Sequence, residues 1–281
     1  MTRLLPNFLI IGAMKAGTTS LYQYCSSHPQ ISMSAKKEVH FFSDEANRAR
    51  GRSWYEQQFA HSDGALAVGE ASTSYSKFPA IEGVPGRIIE MLPNARFIYL
   101  IRHPIERIQS QYVHHLMRGK ERRPMAVAVR DNPDYLDFSR YSMQIERYLE
   151  FVSPDRILVV RSENLRRDRI ATLHRIFTFL GVDPDFNVEA LSQEFYRSSD
   201  RKEYGSLAGN LGNRPLVKTV ARAMPVKLKR RVNSLGPGRP IEAHMRSLPD
   251  DIRSWLENEL RDDVERLSRY GAGDVSEWGI A

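Results

Sequence analysis

Cysteine is nearly absent from this chain: Cys25 is the one cysteine among 281 residues. A disulfide framework within the chain is therefore excluded, and so is a cysteine-rich metal site. We expect Cys25 to be a small buried residue on the core face of the first helix. A chain of this length can bury a sizeable core without cross-links.

Long hydrophobic runs are also missing. No segment approaches the roughly 20 apolar residues that a membrane-spanning helix needs. The apolar run near the start is short and passes directly into a glycine-containing turn, so we expect no secretory signal peptide. These features favour a reducing, cytoplasmic location. Because the sequence shows no internal repeat and no obvious linker, it predicts a single domain over residues 1–281.

Acidic residues are fewer than basic ones, with 34 Asp and Glu against 41 Lys and Arg, for a formal charge of +7. Such an excess suits an anionic partner, such as a nucleotide, a polyanionic sugar, a nucleic acid or an anionic membrane surface. A solvated basic surface explains it as well. The charge alone does not choose among these.

Buried strands alternate with helices along the chain. The apolar runs at 8–11, 96–101 and 157–160 show no polar alternation, as expected for strands that are buried on both faces. This alternation predicts an α/β fold with a central parallel sheet flanked by helices. Helical periodicity is seen at 18–28, 87–92, 105–117, 141–151, 168–180 and 252–270.

Three other stretches are less regular. Residues 44–64 favour a short amphipathic helix on the surface. Residues 119–135 are charged and contain proline, which favours a loop or a mobile lid. Residues 195–240 are rich in Gly, Asn, Ser, Arg and Pro, and within them 216–232 reads as a basic helix broken by Pro225.

The stretch from Pro6 to Leu21 joins the first strand to the first helix through a tight loop between Gly12 and Gly17. A loop of this kind presents backbone N–H groups and the helix dipole to an anion. A Walker A loop requires lysine directly after the second glycine, but here the lysine is Lys15, inside the loop. The loop therefore suits a phosphate bound without a metal ion.

Two further clusters carry candidate site residues. Arg102 ends the strongest strand, and Ser110 lies in the following helix, so both are candidates to bind a second phosphate. Glu38 and His40 are alternate residues of an apparently extended segment and are expected to share a face. The aromatic residues that follow are expected to desolvate Glu38 and raise its pKa, as a general base requires.

The order PxFLIIGAMKAGTTSLYxY, KKEVHFF and IRHPIERIQSQY resembles the sulfotransferases that use 3′-phosphoadenosine-5′-phosphosulfate (PAPS). The likeness is to the branch of heparan-type carbohydrate sulfotransferases and many bacterial members, and it covers residues 6–180. It implies a P-loop-like sulfotransferase fold, PAPS as donor, adenosine 3′,5′-bisphosphate (PAP) as product and no metal ion.

The resemblance also assigns roles to residues. Glu38 matches the catalytic base, with His40 as its neighbour and as the alternative base. Lys15 is implied to contact the bridging oxygen and the sulfonate, and Arg102 and Ser110 the 3′-phosphate. The remaining implied donor-binding residues are Ala16, Gly17, Thr18, Thr19 and Ser20 at the 5′-phosphate, Tyr141 near the nucleotide, and Arg201, Lys202 or Arg214 in a segment at 195–240 that covers the nucleotide or the substrate.

The sequence departs from its heparan-type relatives at two places. Those relatives carry a lysine where this chain has Ala71, which weighs against a heparan-like anionic acceptor, and an acid where it has Ser43. The expected acceptor is a hydroxyl of a carbohydrate, glycolipid or natural product.

Two other functions stay open at this point. One is a P-loop kinase that acts on a small molecule with ATP and Mg²⁺. The other is a non-enzymatic binder of nucleic acid or an anionic membrane surface. No nucleic-acid partner is expected for the sulfotransferase, whereas its basic residues 218–231 are suited to peripheral membrane contact.

Overall fold

The computed structural model describes residues 5–186 and 248–280. Its centre is a five-stranded sheet in which every described pairing is parallel and the order is β2-β3-β1-β4-β5. This confirms the predicted fold class. The strands are β1 (Phe8–Gly12), β2 (Ile31–Met33), β3 (Ala67–Ala71), β4 (Arg96–Ile101) and β5 (Ile157–Arg161).

Helices connect the strands and pack on the sheet. β1 and β3 are buried along their whole length, which explains why their sequences show no polar alternation. The described helices are α1 (Thr18–Ser26), α2 (Glu45–Arg48), α3 (Gly51–Gln57), α4 (Val84–Met91), α5 (Pro104–Met117), α6 (Met125–Asp131), α7 (Asp134–Asp137), α8 (Tyr141–Leu149), α9 (Ser162–Arg167), α10 (Arg169–Leu180) and α11 (Asp250–Arg266).

The strand order places β1 between β3 and β4. The chain therefore builds one side of the sheet with β2 and β3 and the other side with β4 and β5. In open parallel sheets such a reversal leaves a crevice at the carboxyl ends of the strands, where ligands bind. With the exception of Tyr141, which begins α8, all candidate site residues in the described part of the chain follow those carboxyl ends or lie in the helix after β4.

The prediction of one surface helix at 44–64 is wrong in two respects. The stretch forms two short helices, α2 and α3, and Tyr55 and Phe59 are fully buried. Tyr55 stacks on Phe41 with ring centroids 4.5 Å apart, and Phe42 meets it edge to face at 5.2 Å. This aromatic cluster covers the segment that carries Glu38, so the stretch is part of the core.

The prediction of a loop or mobile lid at 119–135 is also wrong for most of that stretch. It contains α6 and the start of α7, and Met125, Val129 and Tyr135 are buried. The charged residues before Pro124 conceal the apolar spacing that follows. Glu121 is itself buried and accepts hydrogen bonds from Arg123, which fixes the turn.

Some of the remaining predictions concern residues that the structure describes, and the others lie outside them. Cys25 is buried as predicted, and burial raises the pKa of its thiol to about 12. None of the helices in the described ranges is long and apolar enough to cross a membrane. The predictions for 195–240, including Arg201, Lys202, Arg214 and the basic helix at 216–232, lie outside the described residues.

Candidate active site

The loop after β1 begins and ends at positions where the backbone has a positive φ and glycine is favoured. Gly12 (φ 156°) lies so close to Ser76 that a Cβ atom there would stand 2.0 Å from its Oγ. Gly17 (φ 101°) takes a left-handed conformation directly before α1, and no side chain caps the first turn of that helix. The loop is thus anchored at both ends, and the N-terminus of α1 faces the crevice.

The segment that carries Glu38 is fastened to the carboxyl end of β3. The Glu38 N–H donates to the Ala71 carbonyl at 2.9 Å, and the Thr73 N–H donates to the Glu38 carboxylate at 2.9 Å. Lys37 Nζ lies 2.5 Å from the same carboxylate. The loop after β2 and the loop after β3 therefore hold this side chain between them.

The pKa of Glu38 corrects the sequence prediction. Burial by itself would raise it, but the Lys37 ammonium, the Thr73 N–H and His40 outweigh that effect. The pKa of the Glu38 carboxyl consequently lies below its ordinary value. The group is ionised at neutral pH and is a proton acceptor of low basicity.

His40 lies beside Glu38, although not for the reason that the sequence suggested. The segment is not extended, since both residues have positive φ, yet His40 Nε2 is 3.6 Å from the Glu38 carboxylate. The other ring nitrogen, Nδ1, is 2.6 Å from Ser74 Oγ. Burial lowers the pKa of His40 in spite of the Glu38 charge, so the ring is neutral at pH 7.

Arg102 follows β4 and faces the same crevice as Ser110, which lies further along α5. Its guanidinium pairs with Glu106 at 2.5 Å. Tyr141 is not part of the crevice surface: it is fully buried, and its hydroxyl donates to the Arg102 carbonyl at 2.7 Å. Tyr141 thus positions the Arg102 backbone from behind.

These elements enclose one cavity of about 620 Å³, within the usual range of small-molecule sites. Its described lining is strongly basic, with Glu38 as its carboxylate. The lysine and arginine residues of the lining are Lys15, Lys37, Lys77, Arg102, Arg118, Lys120, Arg166 and Arg169, and its other predicted site residues are Ala16, Gly17, Thr18, Thr19, Ser20, His40 and Ser110. The structure therefore brings together all predicted site residues that it describes, except Tyr141.

Backbone strain is concentrated in this cavity. Among the described residues, the non-glycine residues with positive φ are Lys15 (73°), Glu38 (63°) and His40 (57°). Such conformations cost about 1–3 kcal/mol each and cluster at functional sites. The three residues are those that the sequence analysis assigned to catalysis.

Several lining residues escaped the sequence analysis. Lys37 precedes Glu38 and was visible as part of KKEVHFF, but its contact with the carboxylate was not. Lys77, Arg118 and Lys120 follow no motif, because only the fold turns them toward the cavity. No group of His, Cys, Asp and Glu with the geometry of a metal site is present in residues 5–186 and 248–280.

The fold and the cavity define a P-loop-like α/β protein with a basic crevice at the carboxyl edge of its sheet. The family model described as the sulfotransferase domain matches residues 5–231. The chain belongs to this sulfotransferase family, as its motifs predicted.

Individual proteins that are similar to this chain are also sulfotransferases. The membrane-associated sulfotransferase kil1 of Dictyostelium discoideum is 40% identical over 111 residues, covering 38% of this chain and 22% of that protein. Heparan sulfate glucosamine 3-O-sulfotransferase 5 of Mus musculus is 28% identical over 193 residues, 64% of this chain and 54% of that protein. The chain thus spans about half or less of the length of these curated relatives.

A solved structure covers the whole fold. The crystal structure of a sulfotransferase from Alicyclobacillus acidocaldarius is 25% identical and superposes with a TM-score of 0.69, covering 98% of this chain and 99% of that one. The likeness therefore extends from the first strand to the C-terminal helix.

Proposed function

We propose that this protein transfers a sulfonate group from PAPS to a hydroxyl of a carbohydrate, glycolipid or natural product. The observation that carries the proposal is the single cavity in which an anion-binding loop, a second phosphate-binding pair and a carboxylate base meet. The relatives support it by their names, since each is a sulfotransferase and one acts on heparan sulfate glucosamine.

The donor set of the cavity fits the two phosphate positions of PAPS. The loop from Lys15 to Ser20 offers an ammonium, backbone N–H groups and hydroxyls at the N-terminus of α1, which suits the 5′-phosphate. Arg102 and Ser110, on the β4 side, suit the 3′-phosphate. When bound, PAPS supplies a sulfonate that is activated by its anhydride link to phosphate.

Glu38 is the proposed general base. Its carboxylate lies in the cavity, is ionised at neutral pH, and keeps its position through Thr73 and Lys37. It accepts the proton of the acceptor hydroxyl as the oxygen attacks sulfur. General base catalysis of this kind contributes roughly 10²–10⁴-fold to a rate.

Lys15 is the proposed electrostatic catalyst. Its ammonium lies in the loop that receives the 5′-phosphate, where negative charge grows as the sulfonate leaves. The left-handed backbone of Lys15 (φ 73°) sets the direction in which its side chain leaves the loop. One preorganised donor of this type lowers a barrier by about 3–4 kcal/mol.

The decisive experiment compares two variants in a PAPS-consumption assay with an acceptor library. We expect Lys15→Ala and Glu38→Gln each to lower kcat by at least about 10²-fold. Glu38→Gln is expected to keep its affinity for PAP in calorimetry, because the base does not bind the nucleotide.

Exposed residues of the same type provide the controls. Lys36→Ala and Glu45→Gln change side chains that do not line the cavity and are expected to leave kcat unchanged. Full activity in Glu38→Gln would contradict the role of Glu38 and transfer it to His40. Failure of the unmodified protein to bind PAP would contradict the proposed function itself.

A further inference from the structure

Arg107 is a fully buried arginine of α5 that has no part in the proposed reaction and does not line the cavity. Its guanidinium donates to Ser139 Oγ at 2.5 Å, to the Gln111 side-chain oxygen at 2.6 Å and to the Tyr135 carbonyl at 2.7 Å. All three acceptors are neutral, and no described carboxylate forms an ion pair with it. Burial of a charged group is costly, so the use of arginine at this position requires a reason.

Ser139 connects Arg107 to the turn between β4 and α5, which consists of Arg102–Pro104. The Ser139 hydroxyl accepts the hydrogen bond from Arg107 and donates to the last carbonyl of the turn at 3.1 Å. Tyr141, two residues later, donates to the first carbonyl of the turn at 2.7 Å. Ser139 and Tyr141 are both fully buried. One segment of the core therefore holds the turn from behind at both of its ends.

The geometry of the second phosphate-binding pair depends on this turn. Ser110 lies within α5, whereas Arg102 lies before the helix begins. No described side chain caps the first turn of α5, so local sequence does not fix the angle at which the chain enters the helix. The Arg102 guanidinium donates to the exposed Glu106, a contact that does not tie it to the core. The position of Arg102 relative to Ser110 is therefore set by the buried contacts of the turn.

The three hydrogen bonds of Arg107 require the planar fork of a guanidinium. Its N–H groups point in fixed directions, and they reach α5, α7 and the segment before α8 at the same time. Lysine carries the same charge on a single nitrogen and cannot occupy all three positions. The change of Arg107 to lysine therefore separates the effect of geometry from the effect of charge.

We propose that Arg107, with Ser139 and Tyr141, fixes the turn Arg102–Pro104 and thereby sets the preference of the protein for nucleotides that carry a 3′-phosphate. The inference rests on the proposed function, in which this turn and α5 bind that phosphate. Arg107 is a positioning residue, since it acts through the turn and does not touch the nucleotide. Recognition of phosphate by an arginine fork tolerates little displacement. A shift of the turn thus weakens the contact with the 3′-phosphate and leaves the 5′-phosphate loop after β1 intact.

The test compares by calorimetry the binding of PAP and of adenosine 5′-monophosphate, which lacks the 3′-phosphate. We expect the unmodified protein to bind PAP at least about tenfold more tightly, because the monophosphate loses the charge-assisted hydrogen bonds of the second site. R107K and Y141F are each expected to lower this preference about fivefold or more, with an unchanged Kd for the monophosphate. A merely structural role would instead lower the melting temperature and weaken both nucleotides alike.

Tyr148 provides the matched control for Tyr141. It is also a fully buried tyrosine of α8, and its hydroxyl donates to the Tyr75 carbonyl at 2.9 Å, away from the turn. Y148F loses a bond of the same kind and is expected to keep the preference of the unmodified protein. If R107K does not fold, Y141F and S139A carry the test.

A double-variant cycle shows whether Arg107 acts through Arg102. R102Q removes the guanidinium from the second site and is expected to lose most of the preference for PAP. The ratio of the two Kd values in R102Q/R107K is expected to equal that in R102Q, because a positioning residue has no effect once the residue that it positions is gone. A further loss in the double variant would show that Arg107 acts independently, which overturns the proposal.

Three other results would overturn it: a preference that survives in folded R107K, an equal change in Y141F and Y148F, or equal Kd values for the two nucleotides in the unmodified protein. Any of these with PAP binding intact contradicts the positioning role and leaves nucleotide binding established. Absence of PAP binding in the unmodified protein contradicts the proposed function instead.

Discussion

Glu70 shows how the environment of a single residue changes its chemistry. It lies in β3, is fully buried, and neither carboxyl oxygen forms a hydrogen bond of good geometry with a described group. Burial raises the pKa of Glu70 to about 8, although the nearby hydroxyls of Tyr75 and Tyr55 oppose the rise. The group is therefore largely protonated at pH 7, next to the ionised Glu38.

This pKa predicts how stability depends on pH. The folded-state pKa lies above the unfolded value of about 4.5, so the stabilising effect of Glu70 is complete below pH 4.5 and is lost as pH rises through 8. Glu70→Gln removes the titration. We expect the free energy of unfolding of the variant, relative to the unmodified protein, to rise by about 2–3 kcal/mol between pH 5.5 and 8.5.

Urea unfolding at three pH values measures this difference. Glu90→Gln, at an exposed position of α4, is the matched control and should run parallel to the unmodified protein. Parallel curves for Glu70→Gln as well would show that Glu70 titrates at its ordinary pKa.

The sequence predicts which residues belong to the site where a strand end or a recognisable loop pattern places them. Lys15, Arg102 and Glu38 were found because each follows a recognisable strand or belongs to a recognisable segment. The state of Glu38 could not be found, because its pKa depends on the Thr73 N–H, which arrives from another strand. Lys77 and Lys120 were missed for the same reason: their direction is set by tertiary structure.

At the scale of elements, α11 packs on the core through Ile252, Leu256, Leu260 and Val264, and it also carries one buried acid, Asp263, that contacts α8. The Asp263 carboxylate accepts hydrogen bonds from the N–H groups of Ser142 and Met143, both at 2.9 Å, in the first turn of α8. The Ser142 hydroxyl donates to the Asp263 carbonyl at 2.6 Å. The side chain of α11 thus caps α8, the helix whose Tyr141 supports Arg102.

Asp263→Ala is expected to destabilise the protein by about 2–3 kcal/mol, because two buried N–H groups of α8 lose their acceptor. Chemical denaturation measures the loss. The neighbouring exposed residue supplies the control, since Asp262→Ala should change stability by less than about 0.5 kcal/mol. Equal stability of the two variants would contradict the capping role of Asp263.

Helices and strands were predicted correctly where the stretch with regular apolar spacing is long, and they were missed where that stretch is short. β4, α5 and α10 were predicted nearly to their ends, since their apolar spacing is uninterrupted. α6 and α9 are only seven and six residues long. In α9, charged residues surround Leu165, its one buried apolar residue, and α6 is too short for its apolar residues to show a helical period, so sequence periodicity could not reveal either helix.

At the scale of the whole molecule, the cavity collects groups that follow all five strands of the described sheet, so a ligand with two phosphates is expected to tie both halves of the sheet together. We expect PAP at 100 times its Kd to raise the melting temperature by about 4–8 °C. Thermal unfolding with adenosine at the same concentration is the control and should show a much smaller shift. A larger shift with ATP and Mg²⁺ than with PAP would favour the kinase alternative.

The fold class followed from the alternation of strands and helices, but the strand order did not. Nothing in the sequence states that β1 lies between β3 and β4. That order decides which loops face each other across the crevice. The side of the cavity on which each predicted site residue lies could therefore be recognised only in the structure.

The left-handed backbone at Lys15, Glu38 and His40 has an evolutionary consequence. Glycine adopts this conformation without the steric cost that other residues bear. At each of the three positions a change to glycine would relieve local strain and would also remove the side chain to which the proposed function assigns a role. With the roles proposed for these side chains, selection for stability and selection for activity act in opposite directions at these positions.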